Sequence, residues 1–244
     1  GAKNARYENL LFVDSRCVAD GEILNNLEKI NYQPVVGNAV IDENRSIFDR
    51  FGALFRKKLY REYSGENFKP VYITPDNYDD IPKGTTVLFC DKELFLSSQP
   101  ENKNKWISDD IRLLKNIVEK RPLLKHPDIK VKYQSRDSFK SVFEHIFKRG
   151  IRFTDYYLSP KKKYFWFFIA PSIIILPVII FILIKQIYFV YFLTIVILTW
   201  MLASLWLAEN IKDFAIALIL LPLFAISFWA GIFYGLTLKA RGII

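Results

Sequence analysis

Histidine is nearly absent from this chain of 244 residues: His126 and His145 are the only two. They are too few and too far apart in sequence to suggest a His-based metal centre. Cysteine is as scarce. Cys17 and Cys90 each sit beside apolar residues and form no CxxC pair and no disulfide framework. That excludes a small disulfide-stapled secreted domain and fits a reducing compartment. Methionine occurs once, at Met201. No signal peptide is visible in the opening Gly1-Ala2-Lys3-Asn4-Ala5-Arg6. The first strand follows at once, with no strand–helix unit before it, so the sequence is expected to be a fragment lacking its beginning.

Acidic residues are outnumbered, 25 against 34 basic ones, for a net charge of +9. Hydrophobic residues make up 51% and charged residues 24%, but neither figure describes either half of the chain. Nearly all the charge precedes Tyr164, and the remainder is almost pure Ile, Leu, Phe, Val, Ala, Trp and Tyr. A break this sharp marks a domain boundary. The basic residues gather at Lys148, Arg149, Arg152, Lys161, Lys162 and Lys163, just before the apolar part. They do not lie along an aromatic-bearing face, which argues against a nucleic-acid partner and for anionic lipid headgroups.

Three apolar runs, Tyr164 to Ile184, Ile187 to Leu207 and Phe214 to Leu238, are each long enough to cross a hydrocarbon core, which takes about 20 helical residues. Short polar breaks, Lys185-Gln186 and Glu209 to Asp213, make them antiparallel neighbours. Pro171, Pro177 and Pro222 fall inside the runs, where membrane helices tolerate proline. Tyr164, Trp166, Tyr188 and Tyr191 near run ends match an aromatic belt. Lys161-Lys162-Lys163 ahead of the first run predicts a cytoplasmic polar domain. Three full crossings would then place Lys239 and Arg241 outside. Either the first span sets the orientation alone or one run is re-entrant, and both readings stand open.

Upstream of the runs, Phe139, Val142, Phe143, Ile146 and Phe147 form one apolar helix face, with Lys140, Lys148 and Arg149 off it. It reads as an ordinary core helix or as an interfacial helix leading into the spans.

In the polar half, Leu10 to Val13 is a continuous apolar run, expected to be a strand buried on both faces and ending at Asp14-Ser15-Arg16. Helical spacing follows over Glu22 to Ile30, a strand over Gln33 to Val40, and an amphipathic helix over Ile47 to Tyr63. Asp76 to Lys83 is turn-rich. Gly84 to Phe89 reads as a strand and Lys92 to Leu96 as a short helix. Trp106 to Glu119 reads as a helix capped by Ser108 or Asp109, and Ile129 to Tyr133 as an alternating strand. Strands alternating with helices predict an α/β layer fold, in which ligands sit beyond the carboxyl ends of strands.

The ordered set Leu11-Phe12-Val13-Asp14-Ser15-Arg16, Gly84-Thr85-Thr86, Asp91-Lys92-Glu93, Ser108-Asp109-Asp110 and Lys148-Arg149-Gly150, followed by membrane runs, resembles the family 2 glycosyltransferases of GT-A fold. The opening resembles the family's Gly-x-x-x-Ala-Arg-Asn segment, and Trp229 to Gly235 resembles the last span of many members. The resemblance implies a partial GT-A domain over residues 1–137, an amphipathic helix and basic linker over 138–163, and an all-α membrane block over 164–244. It implies a membrane-bound inverting enzyme of the cell membrane. The donor would be a nucleoside diphosphate sugar and the acceptor a glycan or lipid-linked group.

On the same resemblance, Asp110 is the general base and Asp109 a cap or acceptor contact. Asp14 and Arg16 face the donor diphosphate, and Gly84, Thr85 and Thr86 line the acceptor side. The family usually binds a divalent cation, Mg or Mn, and Asp14 would be its ligand. Arg16 stands where the motif has a second aspartate; a guanidinium cannot ligate a metal but pairs with phosphate, so metal dependence stays open. The Gln-x-x-Arg-Trp signature is replaced by His145 to Arg149, which argues against a processive cellulose- or chitin-type synthase. The family's first strand–helix–strand segment, which binds the nucleobase, is missing. The competing reading is a non-catalytic membrane subunit or scaffold with a degenerate transferase domain.

Overall fold

The structure, a computed structural model, describes residues 1–63, 68–101, 106, 109–160, 162, 165–166 and 186–244. Apart from Phe165 and Trp166, the first apolar run lies outside the described residues, as do Lys161, Lys163 and Ser108. The chain divides into two compact units, one of Gly1–Lys103 with Asp109–Asp137 and one of Asn104–Ser108 with Ser138–Ile244.

The first unit is mixed α/β. Its strands are β1 (Asn9–Val13), β2 (Cys17–Ala19), β3 (Val35–Ile41), β4 (Val71–Ile73), β5 (Val87–Asp91) and β6 (Leu123–Tyr133). They form one sheet in the order β1-β5-β3-β6-β2, with β4 also paired to β6. Among the described residues only β3 and β6 run parallel; the other pairs are antiparallel. The helices are α1 (Ile23–Ile30), α2 (Ile47–Leu59), α3 (Lys92–Ser97) and α4 (Asp109–Lys120). α1 lays Ile23 and Leu27 on a cluster of Val35, Val87, Leu124, Ile129 and Val131 from β3, β5 and β6.

β6 organises the sheet. One of its edges takes β3 along the strand. The other takes β4 at Leu123 to Lys125 and β2 at Val131 to Tyr133. Pro127, which has no N–H to give a ladder, falls in the gap between β4 and β2. Opposite it, the β3 register jumps from Val36↔Lys125 to Asn38↔Lys130, so residues 126–129 bulge past Gly37. A Cβ on Gly37 would stand 2.5 Å from the Ile129 carbonyl oxygen, so only glycine allows this approach. The proline hides the first half of β6 from a reading by periodicity, and the alternation over Ile129 to Tyr133 is only its end. β2 and β4, three residues each, are too short to show a period.

The run at Leu10 to Val13 is an edge strand, not one buried on both faces. Within β1 only Leu10 is buried. Its apolarity is used locally: the Phe12 ring stacks on Phe95 of α3 at 4.2 Å between centroids. α2 starts at a capped Ser46, whose Oγ accepts from the Asp49 amide at 3.1 Å, and stops at Leu59 rather than Tyr63.

The second unit holds α5 (Phe139–Tyr156), α6 (Gln186–Leu207) and α7 (Ile211–Ala240). α6 and α7 are both long and apolar enough to cross a membrane. Asn210 caps α7, its side chain accepting from the Asp213 amide at 3.0 Å; the Asp213 carboxylate accepts from the Glu209 amide at 3.3 Å. Pro222 sits inside α7 without ending it.

The apolar face of α5 is covered by α7. Phe143 meets Phe224 edge-on, Phe153 meets Phe228, and Phe147 meets Tyr234, at 5.5–5.7 Å between centroids. Ser227 Oγ donates to Phe143 O, Gly231 packs on Phe147 and Gly150, Gly235 on Thr154, and Lys239 Nζ donates to Leu158 O, so numbers rise together and the two helices run parallel. They touch through their backbones. A Cβ on Gly150 would collide with the Phe228 carbonyl, and one on Gly231 with the Phe147 carbonyl. Gly235 faces Thr154, whose Oγ1 donates to Gly150 O at 3.1 Å and to Ile232 O at 3.3 Å. This is the small-residue seam of helices that meet in or near a membrane.

Gly150→Ala and Gly231→Ala are expected to lower stability by about 1–3 kcal/mol each, because the added methyl has no volume to occupy. Gly21→Ala, with nothing within 4 Å of its Cβ, is expected to leave it unchanged. Thermal unfolding of the detergent-purified chain, followed by tryptophan fluorescence, checks this.

Candidate functional site

β1 and β5 bring two of the expected site segments together. Their antiparallel register pairs Val13 with Val87. One residue further, the Asp14 amide donates to Thr86 O at 2.9 Å. Asp14 and Thr86 are therefore neighbours at the open edge of the sheet, although far apart in sequence. Asp14 is exposed; Gly84, Thr85 and Thr86 are half-buried. β5 begins at Val87, three residues later than the apolar pattern suggests, so Gly84 to Thr86 form the approach to the strand rather than its start.

The Asp14 carboxylate closes the turn that follows. Its Oδ1 accepts from the Arg16 amide at 2.9 Å, and its carbonyl accepts from the Cys17 amide at 2.9 Å. The Arg16 carbonyl accepts from the Gln134 amide at 2.9 Å, which fastens the turn to the end of β6. Arg16 is half-buried, two residues from an exposed carboxylate. One carboxylate with an oxygen committed to a turn is a poor donor set for a divalent cation. Among the described residues, no group of three or more His, Cys, Asp or Glu side chains is placed to hold a metal.

Asp109 and Asp110 stand on a different element, exposed in the first turn of α4. A helix N-terminus favours both charges. α4 is pinned along its length: the Tyr78 hydroxyl donates to Ile111 O, Asn116 Nδ2 to Ser98 O at 3.0 Å, and Lys120 Nζ to Ser97 O at 2.7 Å. Among the described residues no hydrogen bond or ion pair joins the acidic pair to Asp14. Asp91 caps α3 by accepting from the Leu94 amide at 2.7 Å, and Lys92 Nζ donates to Ala5 O at 2.8 Å. His145, Lys148, Arg149 and Arg152 all lie on α5, in the second unit. Lys148 and Arg149 are exposed. Lys162 rests its Nζ 4.6 Å from the centre of the Tyr156 ring.

Neither cysteine is a reactive thiolate. Burial, and then the charge of Asp14, pushes Cys17 up to about 11; burial, and then Asp91, pushes Cys90 to about 12.

Sequence pattern does not reveal Lys125. It sits inward on β6, buried, with Nζ donating to Pro82 O at 2.7 Å and lying 5.3 Å from the Phe68 ring centre. Burial first, then the charges of Arg56 and Lys83, lower its pKa from 10.5 to about 8. Only its inward-facing register position, opposite Val36 and Val71, flags it.

Compared with protein-family models, the chain matches none, and comparison with curated proteins found no match.

Because the unfolded chain holds the Lys125 proton more tightly than the folded one, stability rises with pH as the folded group loses it. Between pH 7 and 9 this contributes about 1 kcal/mol of added stability. Lys125→Met is expected to remove that slope, which urea unfolding of the full chain at the two pH values measures.

Proposed function

We propose that the chain works as a membrane-bound inverting glycosyltransferase that moves a sugar from a nucleoside diphosphate donor to a glycan or lipid-linked acceptor. The observation that carries this reading is the adjacency of Asp14 and Thr86. The segment read as donor-side and the segment read as acceptor-side share one open end of the β1–β5 pair. Arg16, two residues along, supplies a guanidinium suited to a diphosphate. The mixed α/β unit and the two long apolar helices are compatible with such an enzyme at a cell membrane, with the polar unit in the cytoplasm.

In this reading Asp110 takes the proton of the acceptor hydroxyl as its oxygen bonds to the sugar's anomeric carbon. The bond from that carbon to the donor phosphate oxygen breaks, and the diphosphate leaves with the electron pair toward Arg16. Asp109 holds the helix start or the acceptor. No step passes through a metal.

A second reading is favoured by one observation: the Asp14 carboxylate already closes its own turn through the Arg16 amide. A non-catalytic membrane subunit keeping a degenerate transferase domain would look the same.

In membranes carrying the chain, transfer from radiolabelled UDP-, GDP- and dTDP-sugars separates the two. Asp110→Asn is expected to lower turnover 10²–10⁴-fold, the range of general-base catalysis, with donor affinity nearly unchanged. Asp14→Asn is expected to weaken donor binding as well. Normal turnover in both Asp110→Asn and Asp109→Asn would end the catalytic reading of the pair. A parent chain that binds no donor would favour the subunit.

The cytoplasmic placement is tested by Ser97→Cys, which is expected to resist impermeant thiol reagents in intact cells and to react after lysis.

A further inference from the structure

α7 is apolar on every side, but its sides do different things. Asp213, Ala217, Leu220, Gly231, Gly235 and Leu238 are buried and fall on one face. Gly231 meets α5 there backbone to backbone, and Gly235 meets the Thr154 side chain. Ile219, Ile226 and Phe233, spaced by seven residues, form a stripe on the opposite face and are 61%, 68% and 62% exposed. α5 repeats the logic in reverse. Its Phe143, Phe147, Gly150 and Thr154 face α7, while Glu144, Lys148 and Arg149 are exposed on the far side.

The stacked pair is therefore amphipathic as a unit, charged above α5 and apolar below α7. If α7 crossed the bilayer along its length, α5, parallel to it and packed on it from Phe224 to Gly235, would carry those charges into hydrocarbon. Ionisable side chains there are strongly disfavoured.

We propose that α7 does not cross the bilayer but lies in its plane, with the Ile219–Ile226–Phe233 stripe in the acyl chains and α5 stacked on it toward water. The occupant of the apolar stripe is lipid. α6, apolar and exposed along most of its length, joins α7 through three residues, so a bilayer is already at hand. The chain ends agree. Lys239 Nζ donates to Leu158 O at 2.9 Å, which fixes the end of α7 beside the segment that leads into Lys162. With α7 in the plane, Lys212, Lys239 and Arg241 come out on the same side as Lys162, the grouping that membrane orientation favours. This inference does not depend on the transferase reading.

The test uses the full chain in phosphatidylcholine–phosphatidylglycerol vesicles. Cys17 and Cys90 are replaced by serine, and nitroxides are placed singly at Ile219→Cys, Ile226→Cys and Phe233→Cys. All three side chains point outward, so the α5 seam is left intact. Collision with oxygen and with a water-soluble nickel chelate gives each depth. The expected result is one shared shallow depth, with Lys148→Cys open to the chelate. A spanning helix would instead spread Ile219 and Phe233 over about 21 Å of depth, at 1.5 Å per residue, and overturn the proposal. Shielding of all three positions from oxygen and chelate alike would mean protein covers the stripe, and would overturn it as well.

Discussion

The parallel pairing of β3 with β6 is the constraint on which the first unit depends. It is a sequence-distant contact and, among the described residues, the only parallel one in the sheet. It holds Val35, Leu124, Ile129 and Val131 in one buried cluster with α1. Everything else attaches to its two outer edges: β5 and then β1 beyond β3, β4 and β2 beyond β6. The pairing survives Pro127 because the chain bulges there and Gly37 lets the bulge close. Local damage at Gly37 should therefore be felt at both edges of the sheet, including the distant turn at Asp14.

That layout explains the character of the candidate site. A crevice beyond the carboxyl ends of adjacent parallel strands needs a mostly parallel sheet. Here Asp14 ends an edge strand that is antiparallel to its neighbour, and what adjoins it is its own turn and the approach to β5. The chemistry at this edge is set by what the two strands bring side by side: a carboxylate, a guanidinium two residues on, and the hydroxyl-bearing Thr85-Thr86 segment.

How much of this was legible follows from which forces act locally. α1, α2 and α5 show their periods because each buries one stripe, and Ser46 announces its helix by capping it. β1 was legible as a strand but not as an edge, since the same apolar run serves a sheet face or a stack on Phe95. β2 and β4 carry no period in three residues. The neighbourhood of Asp14 and Thr86 is a matter of register, and register is written in pairings rather than in either segment. Lys125 looks like an ordinary polar residue until the pairings of β6 with β3 and β4 place it inward. The Gly231–Gly235 spacing is visible in sequence, but its partner surface, Gly150 and Thr154, is recognisable only once the helices are seen to run parallel.

The seam between α5 and α7 bears on the functional reading through geometry alone. A Phe-rich amphipathic helix before membrane runs would ordinarily be laid on the bilayer with its phenylalanines in lipid. In this chain those phenylalanines are spent on α7, and α7 offers lipid a second apolar face in their place. α5 is thereby lifted one helix diameter from the acyl chains, and Lys148 and Arg149 point to water rather than lying flat among headgroups. A helix buried face-down in headgroups would present its cations to lipid phosphate, whereas one held clear of the acyl chains keeps them toward water. The backbone contact at Gly150 and Gly231 decides between those two orientations, because it determines which surface of α5 is used up by protein and which stays exposed.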